Sequence, residues 1–122
     1  MSEPLNSSLK NETIPMVPAV IHPRARECLK SLPGPIRQAM GKAILELQRG
    51  VVLKMPLSRP MPSVGQGVHE LRIKDESGAY RSLYAVKFRQ AVYVLHVFKK
   101  RSRATPRHEI DLGRRRLKEM LP

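Results

Sequence analysis

The stretches GVHELR (residues 67–72) and HVFKKRSRATP (residues 96–106) decide the fold of this chain. Two apolar runs without proline lie between them, so both stretches are predicted to be outer members of one short β-meander. Its strands are expected at about 68–74, 80–88 and 91–98, with turns at 75–78 and 89–90. Every neighbouring pair of these strands should be antiparallel.

The first and last strands of the meander have different hydrophobic patterns. Leu71 and Ile73 alternate with Glu70, Arg72 and Lys74, which predicts a strand with one buried face. Residues 91–98 are almost continuously apolar, which predicts a strand that is covered on both faces.

The segment before the meander has the pattern of a short strand and two helices. Residues 17–21 are β-prone, and Pro18 confines them to a sheet edge because proline cannot donate to a ladder. A helix begins at Pro23 and ends at Pro33-Gly34-Pro35, and a second helix runs from Pro35 to a cap at Gly50. The apolar faces consist of Ala25, Cys28, Leu29 and Leu32, and of Ile36, Met40, Ala43, Ile44 and Leu47. The two helices should form an antiparallel hairpin.

The remaining segments are a connection and a final helix. Residues 51–66 contain Pro56, Pro60 and Pro62, which should exclude a regular element and predicts a long connection over the helices. Thr105 is expected to cap a helix with Pro106 in its first turn. Its apolar stripe, which lies under the charged run at 114–116, consists of Ile110, Gly113, Leu117 and Met120.

The chain length and these patterns predict one α+β domain. A chain of 122 residues has room for one hydrophobic core, which is expected to span residues 16–122. Residues 1–15 are polar and contain Pro4 and Pro15, so they are expected to be a disordered or loosely attached extension.

The composition points to a polyanionic partner. Lys and Arg number 23 against 10 Asp and Glu, giving a net charge of +13, which favours nucleic acid over a membrane surface. No apolar run approaches the roughly 18 residues of a membrane helix. The single Cys28 cannot form an internal disulfide and is expected to be a packing residue, as in a reducing cytoplasm.

Three charged residues on neighbouring strands form the first candidate site. Glu70 and Arg72 share a face of one strand, and Arg81 on the next strand could complete a carboxylate held between two guanidinium groups. The alternative is a ladder of surface ion pairs, which is common and contributes little to stability.

A second candidate is the basic segment after the last strand, formed by Lys99, Lys100, Arg101, Arg103 and Arg107. These cations could hold a phosphate, which would relieve their mutual repulsion, or they could be a solvated charge run. His96, expected to point away from Tyr93 and Leu95, could act near neutral pH or be a core histidine. The other histidines lack the spacing of metal ligands, and Gly65-Gln66-Gly67 is too short for a nucleotide-binding loop, so no metal and no nucleotide cofactor are expected.

The segments GVHELRIKDESGAYRSLYAV (67–86) and YVLHVFKKRSRATPRHEI (93–110) resemble the RelE/ParE superfamily of bacterial toxins, in particular its HigB-like, phage-derived branch. The resemblance runs from about Met16 to Met120. It implies a helical hairpin packed on a small, mainly antiparallel sheet, with a C-terminal helix. It also implies a cytoplasmic toxin that cleaves messenger RNA at the ribosome and is neutralised by an adjacent antitoxin, either a helix-turn-helix or a small acidic protein.

The resemblance also assigns residues to the reaction, in which a ribose 2′-hydroxyl attacks the neighbouring phosphate without a metal. Arg72, Arg81 and Lys100 would stabilise the charge on the phosphate, and Glu70 or His96 would be the base or an orienting group. The remaining basic residues, Lys99, Arg101, Arg103 and Arg107, would contact RNA.

Two departures from the family pattern and one rival function accompany this assignment. Ala104 stands where a basic residue often precedes the Thr-Pro pair, and residues 1–15 precede the position at which family members usually begin.

The same superfamily includes toxins that inhibit DNA gyrase by binding, and a basic protein of this size could simply bind nucleic acid. In the nuclease interpretation, Arg81→Ala and Lys100→Ala abolish cleavage and leave the fold intact.

Overall fold

A five-stranded sheet forms the centre of the protein within residues 16–87 and 89–121, which the computed structural model describes. The strands are β1 (Ala19–Ile21), β2 (Ser58–Pro60), β3 (Val68–Asp75), β4 (Gly78–Lys87) and β5 (Ala91–Lys100). Their order is β1-β5-β4-β3-β2, with β1 parallel to β5 and the other pairs antiparallel. The predicted meander and the edge position of the first strand are confirmed, whereas the prediction for residues 1–15 falls outside the described residues.

Helices cover both faces of this sheet. The helices are α1 (Pro23–Ser31), α2 (Gly34–Gln48) and α3 (Arg107–Met120). The first two pack on one face, where Met40 of α2 lies in a buried cluster with Leu71 and Tyr84. The third packs on the opposite face, where Leu117 contacts a cluster that contains Leu83. This arrangement explains why β5 is apolar on both sides.

The close approach of α3 to the sheet depends on Gly113. A Cβ atom at this position would lie 2.8 Å from Cδ1 of Leu83 and 3.1 Å from Cγ1 of Val64. Both contacts are shorter than normal packing distances, so a larger residue would push the helix outward. The predicted apolar stripe of α3 is confirmed by the contacts of Ile110, Leu117 and Met120 with this core.

The connection between α2 and β3 contains a strand that was not predicted. Residues Ser58–Pro60 form β2, which pairs with β3 so that Arg59 lies opposite Glu70. The prediction that prolines exclude any regular element here is therefore wrong. Pro60 is tolerated because β2 is an edge strand, where a missing backbone donor costs little.

A β-bulge in β5 changes the direction of two side chains. Leu83 pairs with His96 and Tyr84 pairs with Val94, so Leu95 has no partner on β4. Consequently Leu95 and His96 both face α3. Leu95 packs into the apolar core beneath this helix, and His96 forms hydrogen bonds with two of its residues. The prediction that His96 points away from Leu95 is wrong because the bulge interrupts the period-two alternation.

The start of α3 also differs from the prediction. The N-cap residue is Pro106, and Thr105 makes no capping hydrogen bond because its hydroxyl is directed to Glu70. Within the charged run at 114–116, Arg116 is buried rather than solvated. None of the helices in the described part of the chain is long and apolar enough to cross a membrane.

Candidate active site on the sheet face

A buried carboxylate organises the candidate site. Glu70 is 0% exposed, and its Oε1 lies 3.1 Å from Nε of Arg59 and 3.6 Å from Nε of Arg81. Its Oε2 accepts a hydrogen bond of 2.7 Å from the Thr105 hydroxyl. Both carboxylate oxygens are therefore engaged inside the protein, and the alternative of a surface ion-pair ladder is wrong.

The two guanidinium groups around this carboxylate are not the two expected from the sequence. Arg59 of β2 takes the place predicted for Arg72, since the β2–β3 register sets Arg59 opposite Glu70. Arg59 could not be found by alternation because its strand lies in a proline-rich segment. The only available signal would have been a basic residue flanked by β-compatible positions at a sheet edge.

Arg81 is the most enclosed cation of the site. The residue is only 6% exposed, and its Nη1 donates to the carbonyl oxygen of Tyr80 at 3.1 Å. Burial lowers the pKa of Arg81, which Glu70 opposes and the neighbouring charges of Arg72 and Arg59 reinforce. The expectation that Arg81 can be removed like a surface charge is therefore wrong.

Arg72 and Lys100 add two further cations. Arg72 lies directly opposite Arg81 in the β3–β4 ladder and is half-buried. Lys100 ends β5, and its Nζ donates to the carbonyl oxygen of Ser102. Desolvation lowers the pKa of Lys100, as do the charges of Arg81, Arg72 and Arg59, while Glu70 opposes the shift.

We refer to Arg59, Glu70, Arg72, Arg81 and Lys100 as the Glu70 cluster. Four positive charges in this cluster face a single negative charge. Such an excess raises the free energy of the protein through self-repulsion and lowers that of a bound anion. The geometry therefore suits a phosphate group.

The other predicted RNA-binding residues are divided between two sides of the sheet. Arg101, Arg103 and Arg107 are exposed in and after the loop that Thr105 attaches to Glu70. Lys99 instead lies 5.8 Å above the ring of Tyr80, on the face that α2 covers. Strand alternation thus separates Lys99 from Lys100.

A groove of about 670 Å³ opens on the face of the sheet that α2 covers. It lies between α2, the connection before β2 and the end of β3, and it includes Arg72 and Arg81 in its lining. Its other walls are mostly aliphatic and include Ala39, Ala43, Leu53, Leu57 and Ile73. Strand alternation directs the side chains of Arg72 and Arg81 toward Glu70 on the opposite face, so the groove and the Glu70 cluster lie on different faces of the sheet.

His96 belongs to a different cluster, which connects α3 to the sheet. Arg116 Nη1 lies 3.1 Å from His96 Nδ1, and His96 Nε2 lies 2.6 Å from Oε1 of Glu109. A guanidinium group can only donate, so Nδ1 accepts and Nε2 carries the proton that bonds Glu109. We refer to His96, Glu109 and Arg116 as the His96 cluster. Both ring nitrogens are bonded, as expected for a core histidine.

Burial lowers the pKa of two residues of this cluster, His96 and Arg116. Desolvation lowers the pKa of His96, hydrogen bonding and charge from Glu109 oppose this shift, and the charges of Arg116 and His108 add to it. Burial also lowers the pKa of Arg116, whose Nη1 donates in addition to the carbonyl oxygen of Leu95 at 3.1 Å. Among residues 16–87 and 89–121, no group of three His, Cys, Asp or Glu residues could hold a metal ion.

Comparisons with known proteins place this geometry in context. Residues 27–118 match the family model described as phage-derived protein Gp49-like (DUF891). A chain of the toxin–antitoxin complex RelBE2 from Mycobacterium tuberculosis is 23% identical, with a TM-score of 0.50, over 72% of this chain and 94% of that chain. A variant of the Escherichia coli toxin RelE in the free state is 21% identical, with a TM-score of 0.44, over 69% and 83%. The comparison with curated proteins gives no match.

Proposed function

Because this chain belongs to the Gp49-like family of phage-derived proteins, a family of RelE-like toxins, we propose that it cleaves messenger RNA on the ribosome and thereby inhibits translation. The family resemblance and the α+β class expected from the sequence are both confirmed. In this proposal the protein acts in the cytoplasm and is neutralised by an antitoxin encoded beside it.

The observation that carries the proposal is the charge imbalance of the Glu70 cluster. Cleavage of RNA by its own 2′-hydroxyl passes through a phosphorane that carries more negative charge than the starting phosphate. Preorganised cations in a partly desolvated site stabilise such a charge more than they stabilise the ground state. Arg72, Arg81 and Lys100 are the cations that we assign to this task.

The proposed reaction forms one bond and breaks another at the same phosphorus. The 2′-oxygen attacks the phosphorus, the bond to the 5′-oxygen of the next nucleotide breaks, and the products are a cyclic 2′,3′-phosphate and a 5′-hydroxyl. We assign to Lys100 the proton that the leaving oxygen requires, because it is the lysine of the Glu70 cluster and a guanidinium does not give up its proton in proteins. Arg72 and Arg81 hold the non-bridging oxygens.

Glu70 and His96 receive positioning and structural roles in this proposal. Glu70 is fully buried beneath Arg59, Arg81 and Thr105, so a substrate hydroxyl does not reach its oxygens. His96 is bonded to α3 on both nitrogens. The 2′-hydroxyl proton therefore passes to solvent or to the surrounding ribosomal RNA, which accounts for a dependence on the ribosome.

The exposed basic residues extend the site along the RNA backbone. Arg101 and Arg103 are exposed in the loop after Lys100, and Arg107 is exposed at the start of α3, where they would contact phosphates that flank the scissile bond. Lys99 faces the other side of the sheet and would contact RNA away from the reacting phosphate.

A reconstituted translation reaction tests the function. Purified protein is added to ribosomes that translate a defined message, and cut sites are mapped by primer extension, with the same message without ribosomes as the control. We expect cleavage of the translated message and little cleavage of the naked message. Efficient cutting of free RNA at every codon would contradict the ribosome-dependent mechanism.

Expression in a bacterial host tests the toxin role. We expect growth arrest that is relieved by co-expression of the neighbouring helix-turn-helix or small acidic protein. Normal growth in the presence of abundant folded protein would remove the toxin assignment. A DNA supercoiling assay on the same preparation distinguishes the rival function, since inhibition of gyrase without cleavage of messages would favour the non-catalytic branch.

A further inference from the structure

The groove on the α2 face is separate from the residues assigned to cleavage. Its volume is about 670 Å³, and aliphatic side chains from α2, from the connection before β2 and from β3 form most of its walls. Arg72 and Arg81 direct their side chains to the opposite face, which carries Glu70. The proposed reaction therefore leaves this groove without a role.

The α2 wall of the groove is a stripe of residues on one side of the helix. Ala39, Lys42, Ala43 and Glu46 line the groove at spacings of three and four residues, which extend over about 10 Å of the helix axis. Helices approach each other more closely where the side chains at the contact are small, as those of Ala39 and Ala43 are. This wall therefore suits a second helix that packs along α2.

The opposite wall is the connection before β2, which leaves apolar side chains in water. Leu53 and Leu57 line the groove and are half-buried, whereas Val52 and Met55 are 77% and 59% exposed. The end of the connection is fixed, because the carbonyl oxygen of Leu57 accepts a 2.7 Å hydrogen bond from the backbone N–H of Arg72. Neighbouring apolar side chains that remain exposed on a fixed segment are typical of a surface that a partner covers.

The charges around the groove favour an acidic partner. Lys42 is exposed on the α2 wall, and Lys54 is exposed on the connection beside Leu53. Glu46, the acidic residue among the described lining residues, has its Oε2 3.5 Å from Nη1 of Arg49. A partner with carboxylates would pair with the two lysines, whereas a second copy of this chain, with its net charge of +13, would be repelled.

We propose that the groove binds an acidic, amphipathic helix of the antitoxin. The apolar face of that helix packs against Ala39, Ala43 and Leu53, and its carboxylates lie beside Lys42 and Lys54. The inference rests on the proposed function, in which an antitoxin neutralises the protein, and it adds the surface on which the antitoxin docks. Because the groove and the Glu70 cluster lie on different faces of the sheet, substitutions in the groove change this contact and leave the reacting cations in place.

A carboxylate placed in the α2 wall tests the apolar contact. Ala39→Glu puts this group in the groove, and Gln38→Glu puts it at the adjacent, exposed position of the same helix, outside the lining. Each variant is titrated by calorimetry with the purified product of the neighbouring reading frame. We expect the Kd to rise roughly 10- to 100-fold for Ala39→Glu, on the scale of a lost central contact, and to stay unchanged for Gln38→Glu. Equal Kd values for the two variants, with equal melting temperatures, would overturn the proposal.

Reversing the charge of a lysine tests the acidic character of the partner. We expect Lys42→Glu to raise the same Kd about tenfold and Lys118→Glu, at an exposed position of α3 on the opposite face, to leave it unchanged. An unchanged Kd for Lys42→Glu would overturn the acidic character of the bound helix. Sedimentation velocity tests the other occupant, since dimers of the unmodified protein that Ala39→Glu dissociates would assign the groove to a second copy and overturn the proposal.

Growth assays separate this inference from the proposed function. Ala39→Glu expressed alone should arrest growth as the unmodified protein does, and co-expression of the neighbouring protein should relieve the arrest by Gln38→Glu but not that by Ala39→Glu. Full relief for both variants would reject the docking surface and leave the toxin assignment in place. If the protein cleaves no message and the Kd values still differ as expected, the docking surface is supported and only the nuclease function is contradicted. Absence of binding to the unmodified protein would reject both the antitoxin and its place in the groove.

Discussion

The Glu70 cluster and the His96 cluster lie on the same face of the sheet, but their charges are arranged differently. Each contains an arginine and a glutamate in a desolvated setting, in direct contact for Arg81 and Glu70 and joined through His96 for Arg116 and Glu109. In the His96 cluster one arginine and one glutamate flank a histidine with both nitrogens bonded, and α3 closes over the group. In the Glu70 cluster four cations surround one carboxylate, and Arg72 and Lys100 remain partly exposed to solvent.

The difference indicates which cluster maintains the fold and which is available for chemistry. When the charges and hydrogen bonds of a buried cluster are balanced, binding a further ion does not lower its free energy. A cluster with an excess of one sign carries a repulsive free energy that a bound ion of opposite sign removes. We therefore assign stability to the His96 cluster and anion binding to the Glu70 cluster.

The largest expected effect is the loss of stability on removing Arg116. Arg116→Met keeps an apolar stem but leaves the Leu95 carbonyl and His96 Nδ1 without their donor. Each unsatisfied buried acceptor costs about 1–3 kcal/mol, so the free energy of unfolding should fall by about 2–6 kcal/mol. Urea denaturation measures this change, and Arg115→Met, at an exposed position, is the control. Equal stability of the two variants would show that the His96 cluster is not structural.

The next effect is the loss of cleavage on removing Lys100. Lys100→Ala should lower the rate of message cleavage by about 10²–10³, the scale of a lost charge-stabilising contact. Its free energy of unfolding should change by no more than about 0.5 kcal/mol, because the side chain is only partly buried. Lys87→Ala, an exposed change of the same charge, is the control. A melting temperature that decreases together with the cleavage rate would show that Lys100 has a structural role.

A smaller effect is expected at Thr105, whose hydrogen bond to Glu70 contributes both to stability and to the position of the basic loop. Thr105→Val removes the hydrogen bond to Oε2 of Glu70, and a bond to a charged acceptor is worth about 1.5–3 kcal/mol. The basic loop would lose this attachment, so cleavage should decrease as well. Thr105→Ser keeps the hydroxyl and should recover both quantities. If serine fails to restore cleavage, the methyl group rather than the bond holds the loop.

The smallest effect is the pH dependence contributed by His96. Its pKa is lowered in the folded protein, so below about pH 6.5 the unfolded chain binds more protons than the folded one. The contribution of His96 to the free energy of unfolding should therefore be fully present above that pH. It should decrease on acidification, by at most about 1.4 kcal/mol per pH unit. Urea midpoints across this range should show a flatter slope in His96→Gln than in the control His69→Gln, whose ring stacks on Tyr84 on the opposite face of the sheet. The same slope in both variants would exclude His96 as its origin.

Much of the site could be predicted from strand alternation. The period of two in β3 sets Glu70 and Arg72 on one face, and the antiparallel register brings Arg81 beside them. Both inferences needed only local patterns and the short turn between neighbouring strands. Arg59 escaped prediction because its strand is three residues long and proline-containing, and it forms only by pairing with β3.

Other assignments failed where a distant contact outweighed a local preference. Thr105 has the sequence position of a helix cap, yet its hydroxyl bonds a buried carboxylate 35 residues away along the chain. Arg116 stands in a run of three arginines, yet it alone is buried, since the helix turns it toward Leu95 and His96. The bulge at Leu95 redirected His96 in a way that no period of two could indicate.

The sequence by itself determined the helices, the meander, the edge position of the first strand and the cationic character of the protein. These features follow from periodicity, proline chemistry and composition, which act over a few residues at a time. Only the tertiary structure decided which charges are buried together and which remain in excess. Burial and pairing depend on elements far apart in the chain, and the free energy of a charge depends on everything packed around it.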